Sequence, residues 1–184
     1  MESSRVTSQA EKHSVHFPYT SKMKGEDINP LTVNIKDALT GLLGGFLTIS
    51  ILAILTSISS TEWLIAPFGA SCVLAFGAWN APLSQPRNII GGHLISTFVG
   101  LAVYYIFGNG PWAIGLAVGL AIAALMLTKT THPPAGANPL VVMMGDYSWS
   151  FLFSPVLAGS VLIVLFALLI NNLRSDRDYP TFWI

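Results

Sequence analysis

Between residues 38 and 173 this chain carries only four charged side chains, Glu62, Arg87, Lys129 and Asp146. A soluble domain has roughly a quarter of its residues charged. Here charged residues make up 10% of the whole chain and gather at its two ends. A long uncharged stretch needs a solvent other than water. The lipid bilayer is such a solvent, and it restricts the backbone, because in hydrocarbon every N–H and C=O must find a partner inside the protein. The expected fold class is therefore all-α, a polytopic membrane helix bundle. The net charge is zero and there is no basic patch, so nucleic acid is not an expected partner.

Six apolar segments can be read, near residues 38–58, 64–79, 88–107, 111–128, 134–144 and 151–171. Crossing a ~30 Å hydrocarbon core takes about 20 helical residues. Segments one, three, four and six meet or approach that length. Segments two and five are short and interrupted by Pro and Gly, so they are either short spans or re-entrant half-helices. Six crossings with the N-terminus inside put Lys22, Lys24, Lys36, Arg87, Lys129, Arg174 and Arg177 on the cytoplasmic side and Glu62 and Asp146 outside, as the positive-inside tendency favours. Re-entrance would move Arg87 and Lys129 outward, so six crossings are preferred. Trp63, Trp79, Trp112 and Trp149 fall at segment edges, where amphipathic rings suit the headgroup layer.

The expected organisation is a polar, largely flexible arm (1–36), a transmembrane domain (37–173) and a short tail (174–184), with both termini in the cytoplasm of a bacterial cell and the domain in its plasma membrane. The arm lacks the apolar core of a signal peptide, and its acidic residues argue against an organellar transit sequence. Small residues recur at helical spacing as Gly41/Gly45, Gly92/Ser96/Gly100 and Gly115/Gly119/Ala123. Such stripes let helices approach closely in lipid, and they make a homo-oligomer packed through glycine faces an expectation.

The segment THPPAGANP (131–139) places an imidazole and three prolines at membrane depth. A break of that kind belongs where protein or trapped water replaces lipid. It has a counterpart: PFGAS (67–71) and PAGAN (134–138) share P-x-G-A followed by a small polar residue. Two related halves of three crossings each would form a 3+3 inverted repeat, whose paired broken helices meet near the midplane in many transporters. Their N-termini would turn unpaired N–H groups and positive dipole ends toward one another, which favours a small anion.

The candidate substrate-binding residues are Gly69, Ala70 and Ser71 at the first break, and His132, Pro133, Pro134, Gly136, Ala137 and Asn138 at the second, with His93 and Arg87. His132 either offers an imidazole to an anion or caps a broken helix. His93 lies inside segment three and either lines the path or bonds a neighbouring helix. Ser71 and Asn138 could orient an oxyanion, with capping as the alternative. Arg87 either attracts anions at the inner mouth or anchors the segment, while Gln85 and Asn88 beside it could satisfy loop backbone groups. Cys72 stands alone and reads as a small buried hydrophobe. With no acid–base pair, phosphate loop or metal-ligand spacing, neither an enzyme, a metal nor a cofactor is expected.

PFGAS (67–71), LSQPRNIIGGHLIS (83–96) and THPPAGA (131–137), in that order, resemble the HPP family of integral membrane proteins, named for the tripeptide seen here as His132, Pro133 and Pro134. The resemblance covers about residues 37–172 and implies nitrite transport, the activity associated with members from photosynthetic organisms. The family is usually described with four transmembrane helices, which counts segments two and five differently. Some relatives carry cytoplasmic CBS domains after the membrane part, and none is expected after Arg174 here. The residues alone point to transport of a small anion, and the resemblance makes it a small monovalent anion, nitrite. A non-transporting scaffold or sensor domain is the alternative.

Overall fold

Prolines that look like interruptions in the sequence turn out to be helix starts. The computed structural model describes residues 34–183, together with Met23, Asn29 and Thr32, so the expected flexible arm lies almost wholly outside the described residues. All regular elements among the described residues are helical: α1 (Ile35–Ile58), α2 (Ala66–Cys72), α3 (Pro86–Phe107), α4 (Pro111–Leu127), α5 (Asn138–Gly145) and α6 (Ala158–Asn172). Proline occupies the first turn of α2, α3, α4 and α5, where its missing N–H costs no hydrogen bond. α1 begins instead on Asn34, whose side-chain oxygen accepts from the amides of Lys36 and Asp37, with the Asp37 carboxylate near the positive helix end. α3 stops at Gly108, whose φ of 75° continues no right-handed helix.

Three stretches are long and apolar enough to span a bilayer: Ile35–Ile58, Pro86–Phe107 and Trp149–Asn172. α4 has 17 residues. α2 is extended by a wide turn to Ala66–Gly77, and α5 is preceded by a tight turn, Pro133–Ala137. Side-chain contacts show that these two short segments cross the bundle from end to end. At one end Glu62 accepts from Tyr147 and Asp146 accepts from Tyr104, late in α3. At the other, Arg177 reaches Asp37 and the Phe76 carbonyl, Tyr179 reaches Ser84, and Arg87 reaches Thr128. Segment two therefore runs from the Glu62 end to the Arg177 end. Segment five runs from Thr131, held by Asn88 early in α3, to Asp146. Asn34 and the tail therefore lie at the same end of the bundle.

Short α2 is the centre of the core. Phe68 and Phe76, both fully buried, press their rings against Gly159 of α6 and Gly44 of α1, where no Cβ stands in the way. Only one of the expected glycine stripes packs inside the protein. On α1 the buried face is Thr40, Gly44, Thr48 and Leu52, and on α4 it is Ala113, Ala117, Ala121 and Leu125. Gly41, Gly45, Gly115 and Gly119 have nothing within 4 Å of an added Cβ. Spacing alone gives a period, not a direction, and one residue turns a helix by about 100°. Gly92, Ser96 and Gly100 are all buried, as expected of a packing face.

The tail beyond residue 173 is folded onto the bundle. α2 and its wide turn end with carbonyls that no helix continues to satisfy. Asn171 donates to Ala75 O (3.0 Å) and Arg177 to Phe76 O (2.9 Å). Arg177, 3% exposed, also bonds Asn171 Oδ1 and Asp37 (2.6 Å each), and Arg174 meets the same carboxylate at 2.6 Å. Tyr179 donates to Ser84 O, and Gln85 accepts from the Thr181 amide, so the tail laces down the loop before α3. A cation at a helix C-terminus is favoured by the dipole. Arg177, expected only as a cytoplasmic-side charge, is a buried cap. Arg177→Met should destabilise the detergent-solubilised protein by about 2–5 kcal/mol, because two buried acceptors, Phe76 O and Asn171 Oδ1, lose their donor at about 1–3 kcal/mol each, while Asp37 keeps Arg174. Arg177→Lys should lose less. Thermal unfolding of the three proteins checks the order.

Candidate functional site

The HPP break is held open by α3. Pro133 keeps His132 extended (φ −137°, ψ 102°), as the residue before a proline must be, and the backbone from Thr130 to His132 lies outside any helical turn. One face of α3 supplies partners in turn. Asn88 donates to Thr131 O at 2.9 Å, and Ser96 donates to Ala135 O at 2.5 Å. Gly92 lets the strand lie close: an added Cβ would stand 2.8 Å from His132 Cβ and 2.9 Å from Thr130 O. Gly100 does the same for Pro139, whose Cα would be 2.8 Å away. Irregular backbone at this depth is tolerable because protein, not lipid, surrounds it.

At the centre of this contact four side chains from both breaks and α3 form one hydrogen-bonded chain. Ser71 Oγ, on α2, lies 2.8 Å from His93 Nε2 and 2.8 Å from His132 Nε2. His132 Nδ1 lies 2.7 Å from Leu83 O. A carbonyl only accepts, so His132 carries hydrogen on Nδ1, and in its neutral form Nε2 accepts from Ser71. On the far side, Asn138 Nδ2 donates to Thr97 Oγ1 (2.7 Å) and His93 O (3.1 Å), and both ends of its amide lie near His93 Nδ1, Nδ2 at 3.0 Å and Oδ1 at 3.2 Å. The two imidazoles stand edge-on with centroids 5.2 Å apart, and Phe68 packs edge-on against His93 at 5.2 Å. Ser71, His93, Ser96, Thr97, His132 and Asn138 are all fully buried.

The structure thus brings together His132, Ser71, Asn138 and His93, and leaves the other candidates apart. Neither Ser71 nor Asn138 caps a helix: no side-chain cap bond opens α2 or α5. Pro133, Pro134 and Ala137 face Pro67 and Ala70 across an apolar groove of about 540 Å³, so the two breaks do adjoin. The amides expected to be free are partly engaged, Phe68 N with Ile65 O and Ala135 N with His132 O. Gly69 is exposed and Gly136 half-buried, each with open space where a Cβ would go. Arg87 donates to Thr128 O at 3.1 Å, joining α3 to α4. Gln85 and Asn88 satisfy loop carbonyls, as the sequence suggests. Missed were Thr97 and the Leu83 carbonyl. Thr97 was findable, since it lies one helical turn from an intramembrane histidine.

Beyond the cluster, a polar pocket of about 310 Å³ opens at the Glu62 end, lined by Ser60, Thr61, Tyr147, Ser148 and Ser154 among others. Burial, and then the hydrogen bond to Glu62, push the Tyr147 phenol up to about 12.

The family model for the HPP transmembrane region matches residues 30–180, which includes every element of this cluster. The chain belongs to the HPP family. Among similar proteins, one transmembrane protein of Dictyostelium discoideum is 38% identical over 177 residues, covering 90% of this chain and 57% of the relative. A second from the same organism is 36% identical over 171 residues, covering 86% of this chain and 60% of the relative. This HPP chain therefore spans less than two thirds of the length of either. No solved structure matches it.

Proposed function

We propose that this HPP protein is a carrier for a small monovalent anion, nitrite by family resemblance, with the ion taken up where the breaks of segments two and five meet. One observation carries the reading. Polar side chains from both breaks converge with His93 in the bundle interior, where polar and ionisable groups are costly and tend to mark substrate paths. Ser71 and Asn138 hold the hydroxyl and amide donors that an incoming oxyanion would recruit. The adjoining breaks and the opposite runs of segments two and five support an inverted repeat. The sorting of Arg87, Arg174 and Arg177 to one end and Glu62 and Asp146 to the other supports a plasma-membrane topology with both termini cytoplasmic. The chain acts as a carrier, not an enzyme, and needs no cofactor. The exposed Gly115/Gly119/Ala123 face of α4 is offered for homo-oligomer packing, which mass measurement in detergent tests.

The scaffold reading is favoured by a specific observation of its own: the cluster's hydrogen bonds are already made internally, and the groove beside it is walled by apolar side chains. Reconstituted vesicles separate the two. The carrier should raise nitrite entry above protein-free vesicles, and His132→Ala should cut that entry at least tenfold at unchanged protein incorporation. Entry equal to the protein-free background would favour the scaffold.

A further inference from the structure

The hydrogen atoms of the buried cluster can be counted, and the count leaves room for one more. With Nδ1–H of His132 fixed by the Leu83 carbonyl, the neutral chain runs in one sense: His93 Nε2–H donates to Ser71 Oγ, and Ser71 O–H donates to His132 Nε2 at 2.8 Å in preference to the Pro67 carbonyl at 3.1 Å. His93 Nδ1 is then an acceptor, facing the Asn138 amide nitrogen at 3.0 Å. Asn138 Oδ1 is also within reach of that ring nitrogen, at 3.2 Å. A proton added at His93 Nδ1 therefore finds an acceptor after a small turn of one amide. It can also move on. Ser71 accepts the Nε2 proton of His93 and passes its own to His132 Nε2, leaving His93 neutral with its hydrogen on Nδ1 and His132 charged. A second proton is opposed by repulsion between two imidazolium rings centred 5.2 Å apart in a low-dielectric interior.

No carboxylate stands ready to balance that single charge. α2 presents Ser71, Phe68 and the uncharged thiol Cys72. α3 presents His93 and Thr97, and the break and α5 present His132 and Asn138. α4 and α6 carry no titratable side chain, and on α1 Lys36 and Asp37 lie in the first turn. Arg87 is committed to Thr128 O, and Arg177 to Phe76 O, Asn171 and Asp37. An unbalanced charge at this depth is costly, and imidazole is the side chain that exchanges a proton near neutral pH. We propose that His93, Ser71 and His132 form a one-proton site, and that its proton and the monovalent anion occupy the protein together, so that transport is electroneutral, one proton with each anion.

This rests on the carrier reading, and the test keeps the two apart. Vesicles holding the full chain and an internal pH indicator receive external nitrite while valinomycin and potassium clamp the membrane potential, with protein-free vesicles as the blank for nitrous acid leak. The expected result is protein-dependent nitrite entry with about one proton per nitrite and an initial rate that changes less than twofold across clamped potentials. Protein-dependent entry that follows the potential and brings no protons would overturn the proposal and leave the carrier standing. No protein-dependent entry would remove both. Ser71→Ala interrupts the relay and should lower proton-linked entry at least tenfold, and Ser71→Thr, which keeps a hydroxyl, should restore much of it. Full coupled entry in Ser71→Ala would overturn the proposal.

Discussion

Gly92→Val should abolish the folded protein, not merely weaken it. The first added carbon would stand 2.8 Å from His132 Cβ and 2.9 Å from the Thr130 carbonyl, and the carbonyl is backbone that cannot rotate away. Overpacking in a close-packed interior typically costs about 1–3 kcal/mol, and here two further methyl groups follow the first. Moving the strand aside would also part Ser96 from Ala135 O and Asn88 from Thr131 O, leaving buried backbone acceptors unpaired at about 1–3 kcal/mol each. The sum approaches the roughly 5–15 kcal/mol that separates folded from unfolded domains. Gly41→Val is the control, since nothing lies within 4 Å of an added Cβ there. It should leave the protein monodisperse on size exclusion in detergent, where Gly92→Val yields aggregate. A well-folded Gly92→Val protein would show that the close approach of α3 to the break is not essential.

That contrast also marks what the sequence could tell. Charge depletion and segment length were enough for an all-α membrane bundle with six apolar segments, because both follow from solvation and not from packing detail. Breaks at 67 and 133–134 were legible because proline has a fixed φ and no N–H to give. Which face of α1 or α4 turns inward was not legible. In lipid both faces are apolar, so hydropathy has no contrast to offer, and the glycine stripes chosen by spacing on those helices proved not to be the buried faces. On α3 the stripe was right because Asn88, His93, Ser96 and Thr97 add a polar signal that lipid would reject. The tail misled for a related reason. Arg174 and Arg177 look like interfacial anchors in sequence, and only the Phe76 carbonyl, left over where the wide turn after α2 ends, gives Arg177 a buried backbone partner. Joining Ser71 to His132 through one hydroxyl needed a contact across 61 positions, which no local spacing reveals.

Two substitutions at Asn138 should separate what the cluster does for folding from what it does for transport. Asn138→Leu is close in volume but strips the Thr97 hydroxyl of its 2.7 Å partner and His93 Nδ1 of the amide beside it. Each buried group left unpaired costs about 1–3 kcal/mol, so the melting transition should fall by several degrees or be lost. Asn138→Asp keeps the shape and an acceptor toward His93 Nδ1. Its carboxylate is costly to bury alone but is balanced when His93 is charged, so the pair holds a proton that the amide would release. The expected outcome is a protein more stable than Asn138→Leu, with nitrite entry reduced at least tenfold because the proton no longer cycles. Thermal unfolding and vesicle flux, measured on the same preparations, supply both readings. If Asn138→Asp instead transports as the parent does, proton release from His93 is no part of the cycle, and the buried cluster is a device for holding the broken helices together.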